Sequence, residues 1–246
     1  MKEKENIIFG IRSAIEAIES GNTIDKIFVQ KNLQGTLYKE LENLLKKHRI
    51  APTLVPIDKL NKLTRKNHQG IVAYTSPVPF HDLETLILKN REEQKTPFII
   101  LLDQITDVRN FGALLRSAEC IGATAVVIPQ TGSVSASLDA VKTSCGAIYH
   151  IPICKVPHLK DAIYVLQSLE IQTIAATEKT ENSIYNLNLK KETAIVMGSE
   201  EKGVSSGILK LVDHKAKLPM LGKISSLNVS VAGGIFMYEA LRQRIL

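Results

Sequence analysis

Phe98-Ile99-Ile100-Leu101-Leu102 is an unbroken apolar run. A strand of that composition has side chains that avoid water on both sides of its pleat, so it must be covered on both faces. The rest of the chain supplies the cover. Strand-like segments at 125–128, 149–156, 171–176, 193–197 and 215–218 alternate with helix-like segments at 112–121, 135–144, 160–168, 206–212 and 228–244. Strands separated by helices predict an α/β domain with a largely parallel sheet.

The first third has a different texture. Residues 8–75 read as a small α/β unit of their own. It has a helix at 14–18 with Ser13 as N-cap, strands at 24–29, 52–55 and 70–74, and a short helix at 58–63. A second helix at 37–48 carries the stripe Leu37, Leu41, Leu44 and Leu45, the spacing of one helical face. Pro77 and Pro79 interrupt regular structure, because each lacks a backbone donor and restricts the residue before it. The expected division is therefore 1–76, a linker over 77–97 that includes a helix at 82–91, and a larger domain over 98–246. A chain of 246 residues is long enough for such a pair.

Charge is distributed unevenly. Residues 1–76 hold 13 Lys and Arg against 8 Asp and Glu, whereas 77–246 hold 18 against 17. Nearly all of the net +6 thus sits in the first third, densest from Lys59 through Lys62, Arg65 and Lys66 to Gln69. Such a surface attracts a polyanion, since neutralised phosphates release their counterions; it also serves simply as a solvated face. No apolar run reaches the length of a membrane span, and the charged start Met1-Lys2-Glu3-Lys4-Glu5 argues against export. Cys120, Cys145 and Cys154 are odd in number and contain no C-x-x-C pair, so a disulfide framework is not expected and a cytoplasmic, reducing location is. The six histidines lack metal-ligand spacing, and no metal is expected. Dinucleotide, Walker and nucleophile-elbow motifs are absent. Gly198 and Gly203 have P-loop spacing, but Val204 stands where a lysine is needed.

Three segments concentrate polar residues at the ends of expected strands. The first runs from Asp103 through Asp107, Asn110 and Gly112 to Arg116-Ser117-Ala118, where Asp107 and Asn110 are also candidate helix caps. The second is Met197-Gly198-Ser199-Glu200-Glu201-Lys202-Gly203, a strand running into a glycine-rich acidic turn. The third is Leu218-Pro219-Met220-Leu221-Gly222-Lys223-Ile224-Ser225-Ser226-Leu227-Asn228-Val229, in which Ser225, Ser226 and Asn228 are candidate caps of the last helix. The apolar positions of that helix, Val231, Ile235, Tyr238, Leu241 and Ile245, suit a core or a subunit interface.

In this order and with this content, the three segments resemble the three motifs of the SpoU/TrmH RNA ribose 2′-O-methyltransferases of the SPOUT class. The resemblance covers about residues 98–246. Phe9-Gly10-Ile11-Arg12-Ser13-Ala14 and Asn67-His68-Gln69-Gly70-Ile71-Val72-Ala73 resemble the small L30e-like substrate-binding domain of ribosomal RNA members. Within the family, the likeness is greatest to members that methylate a guanosine ribose in the peptidyl-transferase loop of 23S ribosomal RNA.

The resemblance implies a C-terminal α/β trefoil-knot domain behind a small N-terminal L30e-like α/β domain. It implies S-adenosylmethionine as cofactor, contacted at Gly198, Leu218, Met220, Ser226 and Leu227. It implies Arg116 as the catalytic arginine, with Asn110, Glu200 and Asn228 as the other polar active-site positions. A homodimer follows, with the arginine contributed across the interface and the helix 228–244, through Gly233-Gly234, as the pairing surface. Ribosomal RNA is the expected partner, held by Arg12, Lys62, Arg65 and Lys66. Two other readings stand beside it: a ribose methyltransferase acting on transfer RNA or another ribosomal site, and a non-catalytic RNA-binding or ribosome-assembly factor.

Overall fold

The computed structural model describes residues 7–224 and 226–245; Ser225, a candidate cap, and the charged residues 1–5 lie outside the described residues. The chain forms two units, one built on residues up to Pro79 with Ser135–Leu138, the other on Phe80–Val134 with Asp139–Leu246.

The first unit comprises β1 (Ile7–Phe9), α1 (Ile11–Glu19), β2 (Ile24–Gln30), α2 (Thr36–Lys47), β3 (Thr53–Val55), α3 (Ile57–Leu63) and β4 (Ile71–Thr75). The strands lie in the order β1-β4-β2-β3, with only the β2–β3 pair parallel. Ala14, Ile15 and Ile18 of α1 and Leu41 and Leu45 of α2 cover one face of the sheet, against Ile27, Val29, Ile71 and Ala73. The other face packs Val55, Leu60 and Val72 beside Phe28 and Tyr74, whose rings meet edge to face at 6.1 Å. Helix α1 starts earlier than its sequence suggests. Gly10, at φ 91°, occupies the N-cap, and Ser13 lies within the helix rather than capping it. His68 accepts the Gly70 N–H on Nδ1 at 3.0 Å, so its Nε2 carries the proton and donates to Asn61 Oδ1 at 3.0 Å. This holds the 67–70 turn closed where Gly10 N–H meets the Ile71 carbonyl at 3.1 Å.

The second unit comprises β5 (Phe80–His81), α4 (Leu83–Glu92), β6 (Phe98–Asp103), α5 (Val108–Cys120), β7 (Ala125–Pro129), α6 (Leu138–Thr143), β8 (Ile153–Val156), α7 (Leu159–Ser168), β9 (Gln172–Ala176), β10 (Thr193–Gly198), α8 (Ser206–Leu209), β11 (His214–Ala216) and α9 (Val229–Ile245). Its seven strands run in the order β11-β9-β10-β6-β7-β8-β5, and every neighbouring pair is parallel. All six residues of β6 are buried, as its composition demands. Ile99 and Leu101 face one helical layer, which contributes Leu83, Ile87, Leu159, Ile163, Leu166 and Ile208. Ile100 and Leu102 alternate to the other side, and α5 and α9 pack against one another with Phe111, Leu114, Leu115, Phe236 and Met237 buried.

The stretch read from sequence as a linker contributes β5 and α4 to this unit, since Leu83 and Ile87 are buried in its core. The strand expected at 149–156 is shorter. Cys145 (φ 51°) and Gly146 (φ 85°) turn the chain, and Ala147–Tyr149 form a single 3-10 turn before β8 begins. At the amino ends of the central strands β6 and β10, Arg244 ties the end of α9 down. Its guanidinium donates to the carbonyls of Leu189, Thr96, Pro97 and Lys191 and stacks 4.7 Å from the Phe98 ring. Among the described residues, no helix is long and apolar enough to cross a membrane.

Candidate active site

Strands β9, β10 and β11 end side by side at Ala176, Gly198 and Ala216. In a parallel sheet the loops leaving the carboxyl edge diverge and leave a crevice between them, which is where ligands bind in such folds. Here the loops enclose a cleft of about 640 Å³, within the range of small-molecule sites. Its walls come from Thr177–Lys179 after β9, Ser199–Gly203 after β10, the segment following β11, and Val229, Ala232 and Phe236 of α9. Gly198, Leu218, Met220, Ser226 and Leu227, the five cofactor positions expected from the resemblance, all line this one cleft.

The strap over 199–203 depends on a missing side chain. A Cβ on Gly198 would lie 2.1 Å from Gly203 C and Val204 N, both backbone atoms. With hydrogen there instead, the strap folds back over the strand end, and Gly203 N–H closes it on the Ser199 carbonyl at 2.8 Å. Buried Asp103, at the end of β6, anchors the far side by accepting Ser205 N–H at 2.7 Å.

The polar residues meet at the edge of the cleft. Asn228 uses both ends of its amide. The oxygen caps α9, accepting Ser230 N–H at 2.9 Å and Val231 N–H at 3.4 Å. The nitrogen donates to Asn110 Oδ1 at 3.0 Å and to Glu200 Oε1. Residues from the three sequence segments, 118 positions apart at the extremes, thus form one hydrogen-bonded group. Asp107, not Asn110, caps α5, accepting Arg109 N–H at 2.8 Å and Asn110 N–H at 2.9 Å. That frees the Asn110 side chain for Asn228.

Arg116 is not brought into this group. Six residues along α5 from Asn110, it is about 9 Å further up the axis and roughly 240° around it. It is exposed, and its Nη1 faces Cys145 Sγ at 3.5 Å. The glycines of α9 also divide. Gly233 is buried inside the chain, where a Cβ would come 2.4 Å from Leu114 Cδ2, so it is spent on the α5–α9 contact rather than free for a pairing surface. Val231, Ile235 and Tyr238 stand exposed on the same helix.

In the first unit, Arg12, Lys62, Arg65 and Lys66 are all exposed. Lys66 Nζ sits 4.8 Å over the Phe9 ring, and Gly10 and Gln69 are adjacent, so the two quoted segments of this unit meet at one corner.

Sequence reasoning gave Asp103 a place in the first segment but no role, and missed Phe236 and Thr177–Lys179. Asp103 carried a signal, an acid ending a wholly apolar run. Thr177–Lys179 carried none, being ordinary polar residues after a strand.

Comparison with known proteins places this geometry. Residues 97–238 match the model of the SpoU rRNA Methylase family. The chain belongs to the SpoU methylase family. Residues 7–81 match a second model, RNA 2′-O ribose methyltransferase substrate binding. The SpoU chain is 31% identical over 244 residues to the putative TrmH family tRNA/rRNA methyltransferase YacO of Bacillus subtilis, covering 99% of this chain and 98% of the relative. It is 32% identical to the putative TrmH family tRNA/rRNA methyltransferase of Staphylococcus saprophyticus, covering 98% and 97%. The crystal structure of the SpoU methyltransferase AviRb from Streptomyces viridochromogenes in complex with the cofactor AdoMet aligns with a TM-score of 0.62 at 23% identity, covering 97% of this chain and 90% of that one. At that identity the likeness establishes the shared SPOUT-class α/β fold.

Proposed function

We propose that this SpoU member transfers a methyl group from S-adenosylmethionine to a ribose 2′-hydroxyl of RNA, its target a guanosine in the peptidyl-transferase loop of large-subunit ribosomal RNA. The observation that carries the reading is the coincidence of two sets: five expected cofactor positions on one cleft, and Asn110, Glu200 and Asn228 hydrogen-bonded at its edge.

The cleft suits the cofactor chemically. Met220 and Leu227, both partly exposed, line it and offer apolar contact for a purine. The cleft is lined by charges of both signs, Glu178, Glu200 and Glu201 with Lys179, Lys202, Lys217 and Lys223, so polar partners are in reach for both the sulfonium and the carboxylate of the donor. Bound in the cleft, S-adenosylmethionine supplies a methyl group activated by its sulfonium. The chain's own residues do the rest. Asn110 and Asn228 orient a ribose by hydrogen bonds, and Glu200 accepts from its hydroxyl. The Arg116 guanidinium orients the ribose and its phosphate, and stabilises charge developing on the oxygen.

As the family resemblance implies, Arg116 acts from a second subunit, in a homodimer paired through the exposed Val231, Ile235 and Tyr238 of α9; its place outside the polar group of its own chain agrees with that arrangement. The net positive front unit holds ribosomal RNA through Arg12, Lys62, Arg65 and Lys66, and the three free cysteines fit a cytoplasmic enzyme.

The deciding experiment maps ribose methylation in ribosomal RNA from cells with and without the protein. Loss of one guanosine methylation in the peptidyl-transferase loop is expected; an unchanged ribosomal map with a lost transfer RNA mark moves the target. Subunit exchange tests the arrangement. Arg116→Ala and Gly198→Leu proteins, each inactive alone, regain activity when mixed, because the hybrid dimer contains one intact composite site. A mixture as inactive as its parts refutes an arginine supplied across the interface.

A further inference from the structure

A second hollow of about 380 Å³ lies on the other side of the strap, sharing Ser199–Lys202 and Val229 with the cofactor cleft but walled by Gln104–Asp107, Asn110 and Gly132. We infer that this hollow receives the base of the nucleotide being methylated and that Gln104 reads its edge. The inference deepens, and rests on, the ribose methyltransferase reading above.

Four observations carry it. The polar group Asn110–Asn228–Glu200 lies where the two hollows adjoin, so a ribose held there has the methyl donor on one side and this hollow on the other. Gln104 is held at φ 60°, the left-handed region, immediately after the central strand. A side chain at such a position costs free energy that glycine does not, and residues held this way cluster at functional sites. Among the described residues its half-buried amide makes no hydrogen bond. An amide offers donors and an acceptor together, the pattern needed to pair with the edge of an unstacked base. Finally, the hollow is both built and empty of side chains. Val134 N–H bonds the Ile105 carbonyl at 2.9 Å, which fixes the 130–134 loop against the 104–107 loop. At Gly132 (φ 71°) an added Cβ would meet nothing within 4 Å.

The test uses wild type, Q104G and T106W of the full chain with S-adenosylmethionine and unmodified transcripts of ribosomal and transfer RNA. Products are digested and the ribose-methylated nucleosides identified by mass spectrometry, while calorimetry measures cofactor binding. Wild type is expected to mark one nucleoside. Glycine relieves the backbone at 104, so Q104G keeps its thermal stability and cofactor affinity but loses at least tenfold in kcat/KM for RNA and marks more than one nucleoside. T106W, an exposed loop position filled with a large ring, keeps cofactor binding and loses RNA methylation. Methylation by Q104G within twofold of wild type at the same nucleoside, with full turnover by T106W, overturns this inference alone. Absence of S-adenosylmethionine binding by wild type overturns the function proposed above and this inference with it.

Discussion

At Gly198 the absence of a methyl group is what allows the strap to cross the end of β10. The atoms in the way of a Cβ are backbone, which has no rotamer to yield. Gly198→Ala is therefore expected to push the strap off the strand and lower S-adenosylmethionine affinity at least tenfold by calorimetry, with a stability loss of about 1–3 kcal/mol, the usual cost of overpacking. Unchanged affinity would mean the strap does not shape the cleft. Asn228 illustrates what sequence reading can and cannot resolve at this scale. Capping and a polar active-site role stood as alternatives for it. The structure gives it both, because an amide has two ends and the helix needs only the oxygen. Arg116 was legible as a member of a motif, and its six-residue spacing from Asn110 already turns it away from Asn110 on α5; its contact with Cys145, 29 positions on, was not legible.

Among the elements, those with long apolar runs were plain. Strands β6, β7 and β10 are buried on both faces, and their composition says so without any partner being known. Strands β1 and β5 were not expected; β5 has only two residues, and β1 is a three-residue edge strand that runs through Gly10 directly into α1. Strand order was likewise beyond reach, because a parallel pair is joined by a crossover that does not record which neighbour it returns to. The α5–α9 contact offers a sharp comparison. Gly233→Ala drives a Cβ into Leu114 at 2.4 Å, whereas the nearest atom to a Cβ on Gly234 is Ser117 Oγ at 3.9 Å. Leu114 can turn its side chain only by disturbing a close-packed layer, so Gly233→Ala is expected to destabilise by about 1–3 kcal/mol. Gly234→Ala is expected to leave the monomer's stability unchanged or raise it by up to about 1 kcal/mol through helix propensity. Denaturant titration of the two proteins checks this; equal losses would mean that α9 packs otherwise than described.

For the whole molecule, the uneven charge implies a division of labour measurable through salt. Replacing Arg12, Lys62, Arg65 and Lys66 together by alanine removes four exposed cations from the first unit. Each phosphate contact on single-stranded RNA contributes about 0.7 to the slope of log affinity against log salt. The slope is therefore expected to flatten by up to about 3, with S-adenosylmethionine affinity untouched, as read by filter binding and calorimetry. An unaltered slope would assign RNA capture elsewhere. The charge asymmetry was readable from composition, but the corner where Lys66 covers Phe9 and Gly10 meets Gln69 needed the sheet that joins β1 to β4.

The bond from Ser205 N–H to Asp103 joins positions 102 apart in sequence, and the polar group at the cleft joins positions 118 apart. During synthesis, then, a ribosome must deliver everything from the central strand to the start of the last helix before this pocket is complete. A nascent chain halted short of Asn228 holds every strand of the sheet and the five expected cofactor positions, but lacks Val229, Ala232 and Phe236, the wall that α9 gives the cleft, and the amide that joins Asn110 to Glu200, so such a truncated product is expected to hold a methyl donor more weakly than the full chain.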